Sequence, residues 1–253
     1  MAVSQSPVRP RARASAPHMQ SPGVAERNSF LNSLSAHSYA KLLFHLQHRL
    51  VRVHEVLWEP NETIANVYFP RSCVGSILIP LECDSLRIEA GTVGKEGFLG
   101  SPVVLGVDSS ASRAIVQVEG DCAVVTADAF RELLADDATL LARSLKFVHV
   151  LQEQTAQSVA CNRRHHIEQR CARWLLMTHD GIGRDQFTLL QTFLASMLGV
   201  HRPRVTVAAG ALQDAGLISY QRGVVSIRDR AGLERAACEC YALVRTALER
   251  TMA

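Results

Sequence analysis

The chain has 253 residues, of which 47% are hydrophobic and 20% charged, and a formal net charge of +3. That length buries the core of one or two domains, no apolar run reaches the roughly 18 residues of a membrane-spanning helix, and the small net charge leaves any nucleic-acid binding to a local basic patch. The seven cysteines, Cys73, Cys83, Cys122, Cys161, Cys171, Cys238 and Cys240, include no CxxC pair. An odd, scattered set fits a reducing cytoplasm, which is the expected location, better than a disulfide framework. Cys238 and Cys240 lie two apart in an expected helix and so should point to different faces. The expectation there is buried small side chains and no metal.

Residues 1–27 are rich in Ser, Pro, Arg and Ala, with Glu26 the only acid, and predict a disordered basic arm. Leu42, Leu43, Leu46 and Leu50 are helically spaced and predict a helix running to residue 50, with His45 and His48 either on its polar face or as satisfied core histidines. The period then changes. Val51-Arg52-Val53 alternates, and short β-rich runs follow at 64–69, 76–79, 86–90, 114–118 and 122–125, separated by turn residues. Strands this short and this closely spaced predict an antiparallel barrel or jelly roll, whose interior is either a pocket or a packed core.

Residues 127–135 predict a short helix, and Asp136-Asp137 opens a much longer one. Leu141, Leu145, Val148, Gln152, Thr155 and Val159 approximate a heptad seam and are the expected dimer interface. Asn162 to His166 predicts a hinge, where His165-His166 has no evident metal partner; IEQRCARWLLMTHD then forms an amphipathic helix closed by Gly181-Ile182-Gly183. Phe193, Leu194, Met197 and Leu198 share one side of a short helix that Gly199 ends. Val205, Ala208, Ala209 and Leu212 share one face of a second helix that ends at Gly216. Strands at 217–220 and 224–227, joined through Gln221-Arg222-Gly223, complete a winged helix-turn-helix. The second helix of such a pair enters the major groove by its N-terminal end. His201, Arg202, Pro203, Arg204 and Thr206 stand there, and Arg222 in the wing is placed for a phosphate. The last segment, LERAACECYALVRTALE, reads as one helix whose Leu233, Ala237, Tyr241 and Val244 pack back on the DNA-binding unit.

This order, with Phe69-Pro70 and Gly75, VGKEGFLG at 93–100, Arg113-Ala114, EQRCARWLL at 168–176, FLASMLGVHRPRVTVAAGALQDAGLI at 193–218 and LERAACECY at 233–241, resembles the Crp/Fnr superfamily of bacterial transcription regulators, and especially a rhizobial and proteobacterial group. The resemblance implies an α+β fold: a cyclic-nucleotide-binding-like β-roll sensor at 28–135, a dimerisation helix at 136–161 and a winged helix-turn-helix at 162–253. It implies a homodimer on a palindromic site in double-stranded DNA that touches RNA polymerase. It adds Val207 to the reading positions. Pro203 stands where a glutamate is common, and Val207 where cyclic-AMP-responsive members carry a second arginine. Leu190 replaces the usual threonine or acid that opens the first helix, with Thr188 or Thr192 as alternative polar contacts, and Gln191 and Thr192 count among the expected DNA-binding residues.

For an effector, the resemblance points to Glu96, Gly97, Arg113 and Ala114. The longer spacing and the loss of a hydroxyl at Ala114 argue against cyclic AMP. An arm without cysteine argues against an iron–sulfur cluster. A small molecule of unknown identity in the roll, a redox switch at Cys161, or control by abundance alone stay open. The competing class is a sensor or scaffold that uses the same domains for protein contacts. No acid/base or nucleophile constellation with defined spacing points to an enzyme.

Overall fold

The computed structural model describes residues 26–81 and 87–253. Most of the expected basic arm lies outside the described residues, as does Cys83. Its last two residues correct the boundary, because Glu26 is anchored to the fold. Arg71 donates to it twice, Nε to Oε1 at 2.9 Å and Nη2 to Oε2 at 2.5 Å, with both side chains nearly enclosed. A bidentate guanidinium–carboxylate pair of this kind fixes direction as well as position. The guanidinium and neighbouring backbone N–H groups hold the Glu26 carboxyl below its ordinary range against the opposing effect of burial.

Two short helices follow, α1 (Ser29–Asn32) and α2 (Ala36–Leu43). Asn28 caps α1 by accepting from the Leu31 N–H at 3.0 Å, while its amide donates to the carbonyls of Pro70 and Gly97 at 2.8 Å each. The expected helix through residue 50 is wrong beyond Leu43. Residues Gln47–Val51 are strand β1, paired with a later strand from Gln47 opposite Val124 to Val51 opposite Gly120. Leucine spacing alone was satisfied by either structure, and sheet pairing decided it.

The roll continues with β2 (Val56–Trp58), β3 (Asn66–Pro70), β4 (Val74–Pro80), β5 (Arg87–Val93), helix α3 (Ser101–Val104), β6 (Arg113–Val118) and β7 (Gly120–Thr126). All pairings are antiparallel, in sheets ordered β1-β7-β3 and β2-β6-β4-β5. The interior is a packed core and not an open barrel. Phe30, Phe69, Phe98, Phe130 and Phe147 form one aromatic cluster with ring centroids 4.9–6.2 Å apart, in the range where edge and offset contacts are favourable. Phe147 lies so close to Gly97 that a Cβ there would overlap its ring.

Helix α4 (Ala127–Asp136) leads to α5 (Ala138–Arg164), which is 27 residues long and capped by Asp137 through the N–H groups of Thr139 and Leu140. The chain breaks at His165-His166, the expected hinge, and α6 (Ile167–Ile182) follows, closed by Gly183 in the left-handed region. Val74, Leu78, Ile115 and Val118 of the second roll sheet share a core with Cys171, Trp174 and Leu175 of α6. At their meeting point a Cβ on Gly94 would overlap the Gly181 backbone, and Lys95 N–H donates to Gly181 C=O at 3.0 Å.

The remaining elements are β8 (Gln186–Thr188), α7 (Gln191–Leu198), α8 (Arg202–Asp214), β9 (Ile218–Gln221), β10 (Val224–Ile227), α9 (Arg230–Ala236) and α10 (Cys240–Met252). The C-terminal segment is therefore two helices. Ala237 adopts extended backbone and ends α9, with a three-residue link before α10. Leu233 and Tyr241 do pack into the DNA-binding unit. The rest of α10 lies along α5, where Leu248 and Met252 reach the roll core. Among the described residues no helix is long and apolar enough to cross a membrane.

Candidate nucleic-acid interface

Helices α7 and α8 are held together by small and branched apolar residues. Leu194, Ala195, Met197 and Leu198 of the first and Val205, Ala208, Ala209 and Leu212 of the second are all buried. Gly199 takes φ +61°, and the next N–H, that of Val200, returns to Ala195 C=O at 3.0 Å. This is a Schellman-type stop that needs a left-handed residue, which glycine supplies without strain. The turn leaves His201 at the N-cap of α8, with Arg202 and Pro203 opening the helix. His201 contributes no side-chain cap, Pro203 has no N–H, and the Arg204 N–H donates to the His201 carbonyl at 3.0 Å, so the exposed Arg202 and Arg204 side chains are what this end offers an anion.

His201, Arg202, Pro203, Arg204, Thr206 and Val207 are all exposed on one end of α8, Val207 at 67%. The Thr206 hydroxyl sits 2.8 Å from Gln191 Oε1 and 3.2 Å from the Arg202 carbonyl, so Gln191 joins this surface, and exposed Thr192 flanks it. The wing is a two-residue hairpin with Val224 opposite Gln221. Arg222 at φ +50° and Gly223 at φ +78° make it the primed turn whose twist suits a hairpin, and it presents the Arg222 side chain to solvent. Gly223 C=O accepts from Leu189 N–H at 2.8 Å, and the Tyr220 hydroxyl donates to Leu189 C=O at 2.6 Å, which fixes the wing beside α7. Strand β8 was not foreseen. Three residues between a glycine turn and a helix carry too little periodicity to register, yet β8 completes the sheet β8-β10-β9.

The Crp-like helix-turn-helix domain family matches residues 169–236. Residues 169–236 are a Crp-like helix-turn-helix domain, and the described residues have the Crp/Fnr regulator fold. Among solved structures, the chain is similar to FixK2 from Bradyrhizobium japonicum at TM-score 0.63 and 14% identity, covering 76% of this chain and 98% of that one. A CRP-family transcriptional regulator from Thermus thermophilus matches at TM-score 0.61 and 19% identity, covering 75% and 96%. The c-di-GMP-responsive global regulator CLP from Xanthomonas campestris matches at TM-score 0.60 and 17% identity, covering 76% and 99%. No curated protein matches the chain by sequence.

In this Crp/Fnr fold the four expected effector residues have different surroundings. Arg113 turns to Glu59, Nη2 to Oε1 at 2.9 Å, and Ala114 is fully buried in its strand. Gly97 faces Phe147. Glu96 alone lines a cavity of about 250 Å³, between the roll, α5, α6 and α10, with Phe147, Gln154, Asp180 and Tyr241. Burial raises the Glu96 carboxyl above its usual range, although its Oε1 accepts from the Gly94 N–H at 2.7 Å.

A second carboxylate, Glu89 on β5, was not singled out from the sequence. Its Oε1 accepts from Trp174 Nε1 at 3.0 Å, and its Oε2 lies 2.7 Å from Ser76 Oγ. Ser76 Oγ is also 2.7 Å from Gln117 Oε1, whose amide nitrogen donates to Thr178 at 2.6 Å. One hydroxyl proton cannot serve two acceptor oxygens. A protonated Glu89 donating to Ser76, which donates to Gln117, satisfies every atom. Burial pushes the Glu89 carboxyl up to about 7, consistent with that arrangement.

Along α5, Leu145, Gln152 and Val159 of the expected seam are exposed, Leu145 at 43% and Val159 at 69%. Leu141 and Thr155 are half-buried beside them, while Val148 belongs to the chain's own core. Cys161 is fully buried and has company the sequence did not suggest: Cys238, Cys240 and His165.

Proposed function

We propose that the chain is a homodimeric, sequence-specific transcription regulator that binds a palindromic promoter site through α8 and contacts RNA polymerase, resembling the rhizobial and proteobacterial group of this superfamily. The observation that carries the reading is the exposed N-terminal end of α8, where Arg202, Arg204, Thr206 and Val207 stand clear of a fully packed inner face, flanked by Arg222 in the wing. Arg202 is the residue placed for bidentate contact with a guanine edge, and Arg222 for the backbone. Dimerisation is supported by the solvent-facing row Leu145, Gln152 and Val159, which leaves apolar surface in water unless a second α5 covers it.

The test is selection of bound duplexes from a random pool, followed by titration of the recovered site at fixed salt. A two-fold symmetric site is expected. Arg202→Ala lowers affinity for it by roughly 5- to 150-fold, the value of one good bidentate base contact, and relaxes the sequence preference. Arg222→Ala weakens all duplexes alike. Recovery of no sequence by the folded protein, with protein partners retained instead, would replace this reading with the scaffold alternative.

A further inference from the structure

Three buried thiols and one imidazole converge where α5 ends and α10 begins. Cys161 is in the last turn of α5, and His165 follows four residues later, so both emerge on one side. Cys238 lies in the link after α9, and Cys240 is the first residue of α10. The break at 237–239 is what allows both of these thiols to face the same point. The four ligand atoms all lie within 4.8 Å of one another. Cys161 Sγ is 3.5 Å from Cys238 Sγ, and Cys240 Sγ is 3.5 Å from His165 Nδ1.

Those separations have a chemical meaning. Zinc bonds of about 2.3 Å to sulfur and about 2.05 Å to nitrogen, at a tetrahedral angle, put two sulfurs about 3.8 Å apart and a sulfur and nitrogen about 3.6 Å apart. The Cys161–Cys238 and Cys240–His165 edges, both 3.5 Å, are within a few tenths of an ångström of these, and the remaining edges, at up to 4.8 Å, close by about 1 Å or less around an ion. A disulfide would need the sulfurs at about 2.05 Å and would involve only two of the four groups.

The surroundings are those of a metal centre too. His165 directs Nδ1 at the sulfurs while its Nε2 lies 3.2 Å from Glu239 Oε1, the outer carboxylate that fixes a metal-binding histidine in one tautomer. Gln157 Nε2 donates to Cys240 Sγ at 3.0 Å. A divalent ion with three thiolates carries net charge −1, and Arg170 and Arg173 on α6 present positive charge to the same thiols. A thiolate is the form a metal binds.

We infer that Cys161, His165, Cys238 and Cys240 form a tetrahedral site for one zinc-class divalent cation, which ties the end of α5 to the start of α10 beside the hinge into the DNA-binding domain. Binding replaces the thiol protons, three at most, and needs no oxidant or reductant. A cluster of several irons is a poor fit, because its cysteine sulfurs must stand around a much larger body than ligand atoms 4.8 Å apart enclose. The site does not depend on the DNA-binding reading.

The experiment is elemental analysis of the full chain, purified under reducing conditions without chelator and desalted. About one zinc per chain is expected. Replacement by cobalt(II) should give thiolate-to-cobalt charge transfer and tetrahedral d–d absorption in the wild-type chain, which requires no variant to fold. Cys161→Ser combined with Cys238→Ser should lose at least about tenfold in bound zinc, whereas Cys171→Ser, a buried cysteine outside the cluster, should retain it. Folded, reduced wild-type protein that takes up neither zinc nor cobalt overturns the inference. So does cobalt absorption that persists unchanged in the double variant. Recovery of a Cys161–Cys238 disulfide from the metal-free reduced preparation would likewise overturn it, in favour of a redox pair.

Discussion

Glu89→Gln isolates the energetic effect of one carboxyl group. The folded chain holds Glu89 at about 7 against an ordinary value of 4.5. A raised acid favours the fold most below the unfolded value. That stabilisation is lost as pH rises through the window from 4.5 to about 7, and is gone above it. The difference of about 2.5 units at about 1.36 kcal/mol per unit sets a ceiling of roughly 3 kcal/mol. Because Glu89 retains some contact with solvent, roughly 1–3 kcal/mol is the expected size. Glutamine keeps both hydrogen bonds, accepting from Trp174 and donating to Ser76, and does not ionise. Urea denaturation of both proteins at about pH 5 and about pH 8 gives the comparison. The variant should gain on the wild type by roughly 1–3 kcal/mol between the two conditions. A difference between the proteins that is the same at both pH values refutes the argument, since it would mean that folding does not raise the Glu89 carboxyl above its ordinary value.

Three further outcomes follow from packing and exposure. Gly97→Ala should lose more than about 2 kcal/mol in chemical denaturation, because the new methyl group meets the Phe147 ring at the centre of the aromatic cluster. Asp137→Ala removes the acceptor for the Thr139 and Leu140 N–H groups at the start of α5 and should cost about 1 kcal/mol by the same measurement. Val159→Glu places a charge on the exposed seam without touching the chain's own core. In sedimentation at matched concentration it should weaken self-association at least about tenfold while leaving the circular dichroism spectrum unchanged.

How far the sequence could be read depended on whether a feature was periodic. The two helices and the hairpin of the winged unit were legible, though strand β8 was not. Gly199, Gly216 and Gly183 each occupy the left-handed position their placement after an apolar helix face suggested, and Val205, Ala208, Ala209 and Leu212 are all inside. Strand β1 was misread because Leu42, Leu43, Leu46 and Leu50 satisfy a helical spacing, while the partner that makes 47–51 a strand lies some seventy residues on at Gly120 to Val124. The surroundings of Arg113 were hidden for a similar reason. Arg113 was assigned by its neighbours in sequence, but its side chain is claimed by Glu59 from another turn of the roll. The cysteine cluster was hidden twice over, since 77 residues separate Cys161 from Cys238, and a single helix through 237–240 would have pointed Cys238 and Cys240 apart.

Helix α5 shows why one of its faces was visible and the other was not. Leu145, Gln152 and Val159 recur every seven residues on the outside, and enough of that row is apolar to be noticed as a seam. Phe147, Gln154 and Cys161 recur with the same interval two residues on, a turn of about 200° around the axis, and all three are buried. No hydrophobic pattern joins a phenylalanine, a glutamine and a cysteine, because each meets a different environment. Phe147 closes the aromatic core of the roll, and Gln154 exchanges hydrogen bonds with the Thr92 backbone at 2.8 and 3.1 Å. Cys161 belongs to the cluster at the hinge. A shift of α5 along its axis would therefore disturb the roll, the strand carrying Thr92 and the base of the DNA-binding domain together. That is the physical requirement for a helix that couples the packing of the roll to the position of the helix-turn-helix domain.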